Sequence, residues 1–152
     1  MMGSFLTVHV VEARDLIPMD VDGTSDPYVI LRIEDQQIET TFKKSTLNPV
    51  WNESFTFEIS QGTLPLLIEV MDKDTFGEDD CEGVHQLYLT EEQILDQMKH
   101  DVWLNLRNKT TGKETQGRLR IMIQFVYSKV KYFEDYLFRW DETLRHDAEM
   151  KE

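Results

Sequence analysis

Hydrophobic and polar residues alternate with a period of two in five separate stretches of the chain. In the first stretch, residues 5–12, Leu6, Val8 and Val10 form one series, and Thr7, His9 and Val11 form the other. The other four stretches are 29–33, 55–59, 66–70 and 119–127. Because successive side chains of a β-strand point to opposite faces, this pattern predicts short strands with one buried face. Polar segments between the stretches predict an all-β sandwich.

Two stretches have helical rather than strand-like spacing. Residues 90–93 read Thr-Glu-Glu-Gln, a capping-box pattern, and Ile94, Leu95 and Met98 then share one face. This predicts a short inserted helix near 91–98. In the tail, apolar residues three and four apart predict a second helix near 130–146; they are Val130, Phe133, Leu137, Trp140 and Leu144. We therefore expect a β domain over 1–128 and a helical tail over 129–152.

Composition limits the classes of function. Hydrophobic residues make up 40% of the 152 residues, enough for a folded core, and no apolar run approaches the roughly 20 residues that span a bilayer. The net charge of −13 disfavours nucleic acid as a ligand and also opposes constitutive binding to anionic lipid. A single cysteine, Cys81, suits a reducing compartment, so we expect a cytoplasmic protein.

Two segments concentrate the acidic residues. The first acidic loop is Met19–Pro27 and the second acidic loop is Met71–Gly83; together they carry nine carboxylates and one cation, Lys73. Carboxylates this close together repel one another, which destabilises the folded chain unless a cation binds between them. Calcium is suited to this role because it accepts six to eight oxygen ligands. Zinc is disfavoured because the four histidines lack metal-ligand spacing, and an EF-hand fails because Leu31 stands at its twelfth position. From the residues alone, calcium binding and simple solvation of the loops both remain open.

Four ordered motifs resemble those of the C2 domain family, which includes modules of protein kinase C, synaptotagmins and Nedd4-type ubiquitin ligases. They are Glu-Ala-Arg-Asp-Leu at 12–16, Gly-Thr-Ser-Asp-Pro-Tyr-Val at 23–29, Leu-Asn-Pro-Val-Trp-Asn-Glu at 47–53 and Val-Met-Asp-Lys-Asp at 70–74. The resemblance covers roughly residues 4–127. It implies an eight-stranded antiparallel β-sandwich, and the chain order resembles the permuted, phospholipase-C-like topology.

The resemblance also implies a Ca²⁺ site between loops at one end of the sandwich. The family's metal ligands match the side chains of Asp20, Asp26, Asp72, Asp74 and Asp80 and the main-chain carbonyls of Met19 and Lys73. Gly77 replaces a serine that some relatives use for a further ion, so two ions are expected rather than three. Asp22 and Asp79 exceed the family pattern; they either deepen the negative potential of the site or are solvated background, and the second interpretation is preferred. Val21 and Phe76 are placed at the loop tips as membrane contacts.

The function implied is calcium-dependent binding of anionic, phosphatidylserine-like membranes by a protein recruited peripherally when calcium rises. The family's basic strand surface is replaced here by an acidic stretch at 34–39, which disfavours phosphoinositide selectivity. No catalytic set is found, and Cys81 lies among acids that should raise its pKa, so we expect a non-enzyme. The alternative is a protein–protein adaptor, calcium-regulated or not, that uses the scaffold and the C-terminal helix to bind a protein partner or a second copy.

Overall fold

A computed structural model describes residues 3–19, 21–60, 65–91 and 93–127, which form eight β-strands. The strands are β1 Ser4–Arg14, β2 Pro27–Ile33, β3 Gln36–Glu39, β4 Val50–Ile59, β5 Pro65–Asp72, β6 Asp80–Tyr88, β7 His100–Arg107 and β8 Glu114–Val126. Every neighbouring pair is antiparallel. The predicted all-β antiparallel fold is therefore confirmed, whereas the predicted helix near 130–146 lies outside the described residues.

The strands follow the order β3-β2-β5-β6-β7-β8-β1-β4. β6 and β7 are joined by a single residue pair, Val84 and Arg107, whereas most other neighbours share longer ladders. The strands therefore divide at this point into two four-stranded layers, as expected for a sandwich. The last strand, β8, lies beside the first, β1.

The core lies between the layers and is built from the alternating apolar positions. The predicted inward residues Leu6, Val8 and Val10 are all fully buried. Val11, predicted to face outward, is only 8% exposed. The reason is a β-bulge between Val10 and Glu12, which shifts the register of β1 against both of its neighbours. Beyond the bulge, Glu12 pairs with Arg120 of β8.

The prediction of a helix near 91–98 is wrong for the residues that the structure describes there, 91 and 93–98, which form turns. The amides of Ile94 and Leu95 both donate to the Glu91 carbonyl, and Gln97 has a left-handed backbone, with φ of 63°. Side chains of the β8 region bind this segment: the Tyr127 hydroxyl donates to the Leu95 carbonyl and the Gln124 amide to the Gln97 carbonyl. The capping-box pattern at residues 90–93 favours a helix only weakly, and these tertiary contacts outweigh it.

Within the described ranges, no helix has the length and apolar content needed to cross a bilayer.

Candidate metal-binding loops

The strand ladders bring the two acidic loops to one end of the sandwich. Pro27, at the start of β2, pairs with Asp72 at the end of β5, and Asp72 pairs in turn with Asp80 at the start of β6. The Lys73 amide also donates to the Asp26 carbonyl at 2.9 Å. Residues 73–79 form the turn of the second acidic loop, while its two ends belong to β5 and β6. The loops are therefore adjacent through backbone pairing as well as through their side chains.

Two of the predicted ligands, Asp26 and Asp72, are in direct contact. The Asp26 amide donates to Asp72 Oδ1 at 2.7 Å, and the Ser45 amide donates to Asp26 Oδ1 at 2.6 Å. Asp72 is only 3% exposed, and Asp26 is half-buried. A carboxylate held by backbone amides keeps a fixed orientation, and charge-assisted bonds of this kind are among the stronger ones. Both acids are thus positioned before any ion binds.

Asp79 organises the turn of the second acidic loop. Its Oδ1 accepts the Asp74 amide at 2.8 Å, and its Oδ2 accepts the Tyr28 hydroxyl and lies 3.9 Å from Lys73 Nζ. The Asp74 amide, the Tyr28 hydroxyl and the nearby Lys73 ammonium lower the pKa of Asp79, and partial burial opposes them. Burial, followed by the bond to Asp79, raises the pKa of Tyr28. The interpretation of Asp79 as solvated background is therefore wrong, because its side chain is only 19% exposed and holds the loop together.

Asp22, the other extra acid, is exposed and has a local role. It accepts the Thr24 hydroxyl at 2.7 Å and the Thr24 amide at 3.1 Å, which lowers its pKa. Gly23 between them has a φ of 82°, a left-handed conformation that glycine adopts without a side-chain clash. Asp22 thus closes a tight turn at the tip of the first acidic loop.

The base of the first acidic loop is held by Ser25, a fully buried hydroxyl. Ser25 Oγ donates to the Ile17 carbonyl at 3.0 Å and accepts the Met19 amide at 3.2 Å. The Ser25 carbonyl accepts the Thr46 amide at 2.8 Å, which joins this loop to the β3–β4 connection. These bonds fix the Met19 backbone next to position 20.

The remaining predicted ligands differ in how well the structure places them. Asp80 is exposed and opens β6, while Asp74 is exposed and accepts the Phe76 amide at 2.9 Å. Asp20 lies outside the described residues. Among the described acids, histidines and cysteine, no three are arranged as a preformed metal cluster. The donor set, which consists of carboxylates and main-chain carbonyls, nevertheless has the hard-oxygen chemistry that suits calcium.

Gly77 lies close to one of these carboxylates. A Cβ added at Gly77 would come within 3.2 Å of Asp74 Oδ2, tighter than ordinary van der Waals contact. A side chain at position 77 would therefore displace the Asp74 carboxylate or be displaced by it. Position 77 therefore lies close to Asp74 and supplies no side-chain oxygen ligand.

Each acidic loop presents one apolar side chain to solvent. Val21 and Phe76 have relative exposures of 108% and 99%, the largest among the exposed hydrophobic residues of the described chain. Leaving a phenylalanine fully exposed forgoes its burial energy, so an isolated exposed aromatic on a loop is a candidate contact residue. Both side chains are thus accessible to a surface, and their role as membrane contacts stays a prediction.

Cys81 shows no sign of nucleophilic activation. Burial is the main cause that raises its pKa, and the carboxylates of Glu69 and Glu82 add to the effect. The expected direction is confirmed, although burial outweighs the acids that suggested it. A thiol of this kind remains protonated and unreactive at neutral pH.

Comparison with known proteins identifies the family. A family model described as "C2 domain" matches residues 4–106. Human RasGAP-activating-like protein 1 is 34% identical over 125 residues, with 81% of this chain and 15% of that protein covered, and mouse synaptotagmin-7 is 40% identical over 103 residues, with 62% and 25% covered. A single C2 domain of a plant extended synaptotagmin 1 superposes with a TM-score of 0.71 at 26% identity, covering 84% of this chain and 97% of that one. The chain belongs to the C2 domain family.

The similarity is to a module of larger proteins. The chain spans 12% to 28% of the length of the curated relatives it matches. Some similar proteins are enzymes by name, among them a probable serine/threonine-protein kinase of Dictyostelium discoideum and a human cytosolic phospholipase A2, but the chain covers only 12% and 17% of these. The C2 module is therefore the part that these proteins share with the chain. The plant C2 domain was solved as a single domain.

Proposed function

We propose that the chain is a membrane-targeting module that binds anionic phospholipid when calcium occupies the two acidic loops. The observation that carries the proposal is the combination of packed aspartates at the loop bases with fully exposed apolar side chains at the loop tips. Asp26 and Asp72 are in hydrogen-bond contact, while Val21 and Phe76 project into solvent. A charged site that also presents apolar groups at its rim suits an interface with both headgroups and acyl chains.

The residues that would hold calcium are those implied by the family motifs. They are the side chains of Asp20, Asp26, Asp72, Asp74 and Asp80 and the carbonyls of Met19 and Lys73. Two bound Ca²⁺ ions would add four positive charges and open coordination positions for lipid phosphate. Gly77 favours two ions rather than three, because it has no side-chain oxygen where some relatives have a serine.

The net charge explains why calcium should be required. At −13, the chain repels anionic headgroups, and each basic residue near a membrane contributes only about 1 kcal/mol of attraction. Two ions would offset half of the net charge of −8 carried by the acidic loops and so weaken that repulsion where the tips make contact. A similar protein, extended synaptotagmin 2, has been solved as a pair of C2 domains in a calcium-bound form, which supports the choice of ion. We propose peripheral recruitment to the cytoplasmic face of membranes as calcium rises.

Cosedimentation with vesicles tests the proposal. We expect the full chain to pellet with vesicles of equal parts phosphatidylcholine and phosphatidylserine in calcium, and much more weakly in a chelator or with phosphatidylcholine alone. The double variant Asp72→Asn with Asp74→Asn should lose the calcium response. Asp35→Asn with Glu58→Gln removes the same charge away from the acidic loops and should keep it. Calcium-dependent pelleting of the first double variant would contradict the site.

The alternative, a protein–protein adaptor, depends on the tail 129–152, which lies outside the described residues. It would be favoured if calcium raised the melting temperature of the chain while vesicles failed to bind it. An absence of both effects would favour an adaptor in which calcium has no role.

A further inference from the structure

A polar groove lies on the outward face of β4, β1 and β8, away from the acidic loops. Its volume is about 180 Å³, and it is lined by Thr7, His9, Ser54, Lys99, Met122 and Gln124. At about 30 Å³ for each water molecule, this is the space of roughly six waters, which is enough for a tetrahedral oxyanion. The size alone therefore permits a small ligand.

The strand register places the lining side chains next to one another. His9 of β1 pairs with Ser54 of β4 on one side and with Met122 of β8 on the other. Thr7, two residues earlier on the same face, pairs with Gln124. Lys99 reaches the groove from the segment just before β7. Because directly opposed side chains lie about 5 Å apart, these polar groups converge on a single site.

The groove differs in charge from the rest of this acidic molecule. None of its lining residues is acidic, and one of them, Lys99, is cationic. Asp101, the β7 partner of Met122, is neutralised by Arg120, whose Nε and Nη2 lie 2.9 and 2.6 Å from its two oxygens. An anion in the groove would therefore be attracted by the Lys99 ammonium group. Asp101 would repel it little, because the charge of Asp101 is paired with that of Arg120.

The hydrogen-bond pattern leaves donors that can turn towards a ligand. His9 Nε2 lies 3.3 Å from Asn52 Oδ1, an acceptor, so Nε2 carries a proton and Nδ1 accepts the Ser54 hydroxyl at 2.5 Å when the ring is neutral. Gln124 uses one amide hydrogen on the Gln97 carbonyl and has a second. His9 and Ser54 thus have their protons committed, while the Thr7 hydroxyl lies 3.4 Å from that of Thr56 and either can donate. The groups that can donate to a ligand are the Thr7 hydroxyl, the Gln124 amide and the Lys99 ammonium.

We propose that this groove binds a phosphate group, carried either by a soluble phosphate ester or by a lipid headgroup. Phosphate offers several acceptor oxygens and a negative charge, which match the donors and Lys99, and Met122 provides an apolar surface for the ester carbon. The site is separate from the acidic loops: His9 precedes the end of β1 at Arg14 by five residues, about 17 Å along the strand. Its occupation requires no calcium.

Titration of the isotope-labelled full chain with inorganic phosphate tests the site by NMR. Calcium is chelated and chloride keeps the ionic strength constant. We expect saturable shifts in the backbone amides of Thr7, Ser54 and Gln124. Lys99→Met should weaken binding by about tenfold, as expected for the loss of a charge-assisted hydrogen bond, and Thr7→Val by about threefold. Lys113→Met removes the same charge from the exposed β7–β8 turn and should bind as the unmodified chain does.

The absence of saturable shifts, or equal affinity in the Lys99→Met and Lys113→Met variants, would overturn the proposal. A second arm identifies the source of the phosphate, using vesicles of phosphatidylcholine with and without phosphatidylserine in chelator. Weaker vesicle binding by Lys99→Met than by Lys113→Met, together with weaker phosphate binding, supports the site with a lipid headgroup. Unchanged vesicle binding with weaker phosphate binding supports it with a soluble ester. Neither result depends on the calcium loops.

Discussion

Both acidic loops are negatively charged, −3 in the first and −5 in the second, and each has an exposed apolar tip, but different chemistry holds each in shape. In the first acidic loop, the anchor is Ser25, a neutral hydroxyl that is fully buried and bonded to the Ile17 carbonyl and the Met19 amide. In the second, the anchor is Asp79, a carboxylate bonded to the Asp74 amide and the Tyr28 hydroxyl and lying near Lys73. One loop is thus held by a neutral group and the other by a charged one.

Some of the acids in the two loops therefore serve to shape the loops, whereas others remain available to bind an ion. Asp79 and Asp22 are engaged in organising their own loops, and the lowered pKa of each reflects those bonds. The difference between Ser25 and Asp79 also makes the anchor of the second loop more sensitive to pH than the anchor of the first. The bonds made by Ser25 involve no titrating group, whereas those made by Asp79 weaken when it is protonated.

The largest expected effect distinguishes the two loop tips in membrane binding. Phe76→Ser should weaken calcium-dependent vesicle binding by up to about 30-fold, because desolvating a phenylalanine is worth about 2 kcal/mol. Val21→Ser should cost less, about fivefold, since valine has less apolar surface. Vesicle titration in calcium measures both. Leu67→Ser, an exposed apolar position on β5, is the control, and equal binding by Phe76→Ser and the unmodified chain would show that the tip does not insert.

A smaller effect is expected from removing the neutral anchor. Ser25→Ala deprives the Ile17 carbonyl of its hydroxyl donor inside the protein, and an unsatisfied buried group costs about 1–2 kcal/mol. Thermal unfolding should show a melting temperature lower by about 2–8 °C, and the same loss near neutral and mildly acidic pH. The exposed Ser60→Ala should leave the melting temperature unchanged. A loss that disappeared in acid would show that the Ser25 anchor also depends on a titrating group.

The smallest and most pH-dependent effect is expected for the charged anchor. Asp79→Asn should lower the free energy of unfolding by at most about 1 kcal/mol near neutral pH, since an amide can still accept one of the bonds. Because the folded pKa is lowered, the stability Asp79 contributes is complete above the ordinary carboxyl range of about 4 and is lost as pH falls through the lowered value. Denaturant unfolding at several pH values should show variant and unmodified chain converging in acid. The control is Glu78→Gln, at the exposed neighbouring position. The difference in stability between this variant and the unmodified chain should not narrow in acid as it does for Asp79→Asn.

Local pattern was sufficient to predict most strands but not the contacts between distant segments. Leu66, Ile68 and Val70 alternate clearly, and β5 follows them. β3 was not predicted by periodicity because Ile38 is its only apolar residue, and the start of β6 was assigned to a loop because Asp80 and Glu82 are acidic. The bulge that buries Val11 also has no local signature.

The same limit applies to the candidate sites. The family motifs marked the acidic loops as a candidate metal site, but the role of Asp79 depends on Tyr28, which lies 51 residues away and meets it only through the sheet. The phosphate groove joins residues of three strands, and its members are ordinary polar positions in sequence. Strand register, which single-sequence patterns do not specify between distant strands, creates both arrangements.

The central claim is that both acidic loops form one calcium site, and an NMR titration with calcium tests it most directly. The amides of Thr24 in the first acidic loop and Phe76 in the second should shift over the same range of calcium concentration, and Asp72→Asn should abolish both responses. Magnesium, which prefers stricter geometry and keeps its waters, should shift them far less. Shifts confined to one loop, or with clearly different midpoints in the two, would contradict the claim.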